Sequence, residues 1–284
     1  MTGPGYIDFL ESNAFVSTCR FKAIQWFIHS QRRFNFCMGT VFKAVNYVDR
    51  FIETNQCNGW SYWMMELLSL ASLSIAIKFG ETCPPSLHEI QDGLESCFEA
   101  SLIQKMELKI LRSLGWELNS ITPHSYVELI TWELSSVMRP FVVDNLSSRL
   151  NDVLLASSLD VKSLVYRPSV VAMSGLKCVL EDEECLSYIT TFIPQDQQLE
   201  NLQSCYELMQ EILVRCRKQP DANGNPSSPD TVLIKEQVAI YEEQVDLSFI
   251  DGPNTLMLLT NGLKRKRGED GHDHCVTKFN KCVN

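Results

Sequence analysis

Val41, Ala44, Val45 and Val48 recur at i, i+3, i+4 and i+7, and this stripe predicts an amphipathic helix over Thr40–Ile52. A second segment, Leu67 to Ile77, has no charge between Glu66 and Lys78. As a helix it is apolar on every side, so other helices must surround it, and it becomes the hub of a helical bundle. The run itself is too short to cross a bilayer. An earlier helix is expected around Ile24, Trp26, Phe27 and Ile28. The prolines of Cys83-Pro84-Pro85 remove donors and fix φ, which predicts a loop. A short helix over Leu87–Leu94 follows. A last one begins at Ser101, whose spacing to Gln104 suits a capping box, and carries Leu102, Ile103, Met106, Ile110 and Leu114 before a C-capping Gly115.

Thr122-Pro123 restarts the pattern, with Thr as N-cap and Pro at the first helical position. Residues 123–217 divide again into about five helical segments. Their middle helix, Ser169–Leu180, is rich in small and apolar residues like Leu70–Ile77. Two similar five-helix units fit better than one ten-helix domain. Beyond Lys218, Pro220–Asp230 contains no apolar side chain larger than Ala and Pro and cannot offset its ordering entropy. The reading is an all-α chain: an N-terminal segment 1–17, a first helical domain 18–120, a second 121–218 and a disordered tail 219–284.

The 284 residues carry 45% hydrophobic and 21% charged residues, an ordinary globular balance. A formal net charge of −10 argues against direct nucleic-acid binding and against docking on an anionic membrane. The N-terminus reads as lacking a signal peptide. The 11 cysteines have no CxxC pairing, and Cys178 and Cys205 sit inside apolar patterns, which suits a reducing compartment.

No nucleotide-binding glycine loop, HExxH or GxSxG is present, so no catalytic residue and no cofactor is assigned. His29, His88 and His124 are scattered and read as surface or capping residues. His272, His274, Cys275 and Cys282 match no common zinc spacing, so no metal site is assigned. Lys78 closes the apolar run and must reach the surface, because an unpaired buried ammonium is costly. Its simplest role is a lysine favoured by the helix dipole. Glu107 reads as a solvated helix residue. Neither is needed to fill the core. Lys264-Arg-Lys-Arg267 is a basic cluster of the kind import receptors read, and Ser228-Pro229 has the minimal form of a proline-directed phosphorylation site.

Ala44-Val-Asn-Tyr-Val-Asp-Arg-Phe-Ile52 and Ile75-Ala-Ile-Lys-Phe-Gly-Glu81 resemble the first box of cyclins, which read roughly AVNYLDRFL and LAAKFEE. Tyr166-Arg-Pro-Ser-Val-Val-Ala172 resembles the C-terminal region of plant D-type cyclins. The resemblance implies two tandem five-helix cyclin-box domains. It implies a regulatory subunit, not an enzyme, that binds and activates a cyclin-dependent kinase catalytic subunit and promotes cell division. Kinase inhibitors and retinoblastoma-type proteins are the further partners it implies, and the nucleus, with the cytoplasm, is the expected location. Carried over residue by residue, it places Lys78, Glu107 and Leu67 at the kinase interface and makes Arg20 and Asp49 a structural ion pair. Cys19, Lys22, Ala23 and Trp26 fall on the substrate-docking patch, with Lys22 and Ala23 replacing large apolar residues. Lys264, Arg265, Lys266 and Arg267 become the import signal. Gly80 stands where the family has a glutamate, and no Leu-x-Cys-x-Glu motif is present. The competing readings are a cyclin-fold scaffold that activates no kinase and, in another class, a metal-dependent or thiol enzyme.

Overall fold

A computed structural model describes residues 4–135, 139–180, 199–218 and 238–240. The helices are α1 (Pro4–Ser12), α2 (Ala14–Phe34), α3 (Met38–Asn55), α4 (Tyr62–Gly80), α5 (Leu87–Ile90) and α6 (Ala100–Ser113), then α7 (Pro123–Ser135), α8 (Pro140–Leu159), α9 (Pro168–Val179) and α10 (Leu199–Lys218). A 3₁₀ turn, Val161–Val165, joins α8 to α9. The short strands β1 (Ser96–Phe98) and β2 (Val238–Ile240) pair in parallel.

Helix α4 is the hub that its composition demands. Every residue from Met65 to Ile77 is buried, and α2, α3 and α6 pack around it. At 19 residues the whole helix, unlike its uncharged run, is long and apolar enough to cross a membrane. Its burial within the bundle identifies it as a core helix. Helix α9 plays the same part in the second group, between α7, α8 and α10. Gly175 lets α8 approach closely, because a Cβ there would lie 2.9 Å from Leu154 and 3.1 Å from Leu150.

Both groups belong to one compact unit, Met1–Leu247. Helix α1 lies within the segment 1–17 that the sequence set apart, and buries Tyr6 and Leu10. Named contacts fix the end of the first group and its join to the second. Arg50 donates to the carbonyls of Glu117 (2.7 Å) and Leu114 (3.4 Å), steadying the chain that leaves α6. His124, read from the sequence as a surface or capping residue, is buried against Phe42 of α3 with ring centroids 5.6 Å apart. Burial pushes its pKa down, favouring the neutral, stackable ring; nearby Glu128 opposes that shift.

One capping expectation fails, and a box the sequence reading did not name forms elsewhere. The Ser101–Gln104 capping box does not form: α6 begins at Ala100 behind Glu99, and the Ser101 hydroxyl is buried without a partner. The capping box that does form is Ser86–Glu89 at the start of α5, with both reciprocal bonds present. Gly115 terminates α6 as expected, at φ +60°, and Trp116 donates back to the Leu111 carbonyl at 2.9 Å.

Candidate functional site

The charged ends of two packed helices meet at one point. Lys78 is in the last turn of α4, and Glu107 lies in the middle of α6. The Lys78 Nζ donates to both Glu107 oxygens, at 2.6 and 2.7 Å. The lysine side chain is 45% exposed and the glutamate side chain 10%. Glu107 is therefore not the solvated residue its spacing predicts. It is buried on α6, and its carboxylate is paired with the ammonium at the rim. Phe79 and Leu108, each one position beyond a member of the pair, are 65% and 45% exposed. Leu67, assigned to the same interface, is 1% exposed. It faces inward from α4, so in the chain alone it fills the core and offers no free surface.

Glu81, just past α4, clamps the start of α3. Its carboxylate accepts from the Cys37 amide at 2.9 Å and the Thr40 hydroxyl at 2.5 Å. This supplies an acceptor to the N-terminus of α3, where the cap residue gives none. The approach explains Gly80. A Cβ on it would lie 2.8 Å from the Thr40 hydroxyl oxygen, and Thr40 is buried. A larger residue, such as the family's glutamate, would force Thr40 off its bond. Gly80→Ala is expected to lower stability by about 1–2 kcal/mol through overpacking. Urea denaturation of Gly80→Ala alone and in a Thr40→Ala background checks this, since the second context should remove most of the penalty.

Arg20 and Asp49 form the expected buried pair, with Nε–Oδ1 at 2.6 Å and a second bond to Oδ2 at 3.0 Å. The structure adds two partners. Tyr6 of α1 donates to the same carboxylate at 2.8 Å, and Arg20 also donates to the Ser158 carbonyl of α8 at 3.0 Å. Burial lowers the guanidinium pKa, but Asp49 outweighs it and the net shift is upward.

Cys19, Lys22, Ala23 and Trp26 do share a site. They line one wall of a cavity of about 220 Å³, facing Tyr62, Glu66 and Glu95. Lys22 holds its ammonium 4.5 Å from the centre of the Tyr62 ring. Burial pushes the Cys19 thiol up to about 11 and the Tyr62 hydroxyl up to about 12, so both are neutral. Trp26 fixes the far rim by donating to the Asp92 carbonyl at 3.1 Å.

Glu66 is the residue that sequence reasoning missed. It is buried, and its carboxylate accepts from the amides of Glu95 (2.7 Å) and Ser96 (3.1 Å). Burial raises its pKa, while the bonds from Ser96 and Glu95 act the other way. The available signal was a lone carboxylate heading an otherwise apolar helix. Among the described residues no group of three or more His, Cys, Asp or Glu side chains is placed to hold a metal. Lys264–Arg267, Ser228-Pro229 and the His272–Cys282 cluster lie outside the described residues.

Residues 4–119 match the family described as Cyclin, N-terminal domain. Over 81% of its length the chain is 30% identical to Cyclin-D2-2 of Oryza sativa subsp. japonica, covering 65% of that protein. It is 29% identical to Cyclin-D1-1 of Arabidopsis thaliana, over 84% of this chain and 69% of the relative. The chain thus spans about two thirds of the length of these relatives. A viral cyclin from herpesvirus saimiri superposes with a TM-score of 0.56 at 12% identity, over 70% of this chain and 85% of that one. A chain of the CAK complex from Chaetomium thermophilum superposes with a TM-score of 0.51 at 15% identity, over 70% and 63%. Residues 4–119 thus match the cyclin N-terminal domain family, and over about four fifths of its length the chain is similar to plant D-type cyclins.

Proposed function

We propose that this chain binds and activates a cyclin-dependent protein kinase through the α4–α6 surface centred on Lys78 and Glu107. The observation that carries the reading is a charge pair at the rim of the hub helix, with exposed Phe79 and Leu108 next to it in the chain. A half-buried ion pair beside exposed apolar side chains suits a partner that supplies backbone donors and acceptors and covers hydrophobic area. The mechanism is conformational. The rigid first box holds the kinase's regulatory helix inward, so that the kinase's own Lys–Glu pair forms and its activation loop opens. The chain contributes binding energy that differs between the two kinase states, and no chemistry. Affinity capture from dividing plant cells, followed by a kinase assay on histone and on a retinoblastoma-protein fragment, tests this. The expected result is captured, stimulated kinase activity.

A cyclin-fold scaffold is the second reading, favoured because Lys78 and Glu107 already satisfy each other. Capture of a kinase with no rise in its activity would select it.

The proposed site of action is the nucleus, reached through Lys264, Arg265, Lys266 and Arg267. Replacing all four with Ala should shift a fluorescent fusion toward the cytoplasm by several-fold in the nuclear-to-cytoplasmic ratio. An unchanged ratio would assign import to a partner.

A further inference from the structure

Strand β1 is held from one side by two buried side chains. Glu66 accepts from the Ser96 amide, and Gln91 both donates to the Phe98 carbonyl (3.2 Å) and accepts from its amide (2.6 Å). Because backbone groups alternate along a strand, Ser96 and Phe98 face the body of the bundle, and Cys97 and Glu99 face the other way. That outer edge is where the far C-terminal region returns. Val238–Ile240 pairs in parallel with Ser96–Phe98, and the Glu99 amide donates to the Ile240 carbonyl at 3.3 Å. The Ile240 side chain is half-buried there. Glu99 is also the N-cap residue of α6, the helix that bears Glu107, and Glu95 just before the strand lines the α2–α4 cavity.

We propose that Val238–Ile240 is an intramolecular ligand of the β1 edge, an extended segment that the chain supplies to its own first box and that can be exchanged for the same segment added in trans. The edge is built for this role before the segment arrives, since Glu66 and Gln91 fix the strand without using its outer groups. The ligand is weak by itself, because a three-residue strand makes few ladder bonds. Attachment through residues 219–237 gives it a high effective concentration, which is what holds it in place. A partner segment reaching for this edge therefore meets an occupied site, and its apparent affinity is reduced by the fraction that is closed.

Amide hydrogen exchange resolved to single residues tests it on the full chain. Ile240→Pro takes an N–H from the strand and disfavours its pairing. Glu99 should then exchange about tenfold faster or more, with Ser96 and Phe98 unchanged because their partners are Glu66 and Gln91. Excess synthetic peptide of the native sequence Lys235–Glu243 should restore the protection of Glu99. Equal exchange at Glu99 in both proteins would overturn the proposal. So would acceleration of all three amides together, or a failure of the peptide to restore protection.

Discussion

Arg20→Ala is expected to lower the unfolding free energy by about 3–5 kcal/mol, the range for stranding one member of a buried ion pair. The loss is large because three elements converge on the guanidinium. Asp49 comes from α3, and Tyr6 of α1 shares its carboxylate. The third contact, to Ser158 at the end of α8, ties the second helical group to the first. Removing the arginine leaves Asp49 buried with only the tyrosine hydroxyl, and leaves a carbonyl without its donor. Tyr6→Phe, which keeps the volume and deletes one bond to a charged acceptor, should cost about 1.5–3 kcal/mol. The discriminating variant is Arg20→Met with Asp49→Leu. Replacing both charges by apolar side chains should recover much of the loss, since the desolvation cost disappears with the attraction. Urea denaturation of these proteins, together with Arg20→Met and Asp49→Leu alone, measures the series. A double variant as unstable as the sum of its single changes would mean that the cluster's shape, and not its charge balance, holds the groups together.

The sequence displayed some of this structure because some of the physics is local. An uncharged run from Leu67 to Ile77 can only be a surrounded helix, and Gly115 can only end α6 cheaply by taking a positive φ. Other features depend on what the fold brings near. Both Ser101 and Ser86 stand three residues before a Glu or Gln, yet only Ser86 lies at a helix start, because α6 begins at Ala100. His124 looks like a helix-end histidine until Phe42 of α3 is stacked on it. Glu66 looks like the polar boundary of a hydrophobic run until β1 presents two amides to it. Gly80 departs from the family pattern for a reason that lies forty residues away at Thr40. The site was legible as two charges, Lys78 and Glu107. Their mutual pairing and the burial of Glu107 were not, since they arise from how α4 and α6 pack. The pairing of Val238–Ile240 with β1 falls in a segment whose composition suggested no order, and three residues are too few to register as a strand pattern.

The pairing of Lys78 with Glu107 changes what their substitution should do. As independent surface charges, each would cost under about 1 kcal/mol of stability. As a pair they are asymmetric. Lys78→Ala strands a carboxylate that is 90% withdrawn from water, and should cost about 1–2 kcal/mol after solvent screening at the exposed lysine. Glu107→Gln leaves an ammonium that can turn to water, and should cost less than 1 kcal/mol. Binding to the proposed kinase should respond in a different order. If both charges are desolvated against kinase backbone groups, each single change should weaken association by about 2–4 kcal/mol, or roughly 30- to 900-fold in Kd. The double variant should then lose clearly less than the sum of the two, because each residue orients the other. Titration calorimetry with purified kinase gives the binding cycle, and urea denaturation of the same proteins gives the stability cycle. A misfolded variant shows itself in the second measurement and cannot be mistaken for lost recognition. Unchanged affinity in the double variant, with its helical signal intact, would remove kinase activation from this surface and leave Lys78–Glu107 as a clamp between α4 and α6.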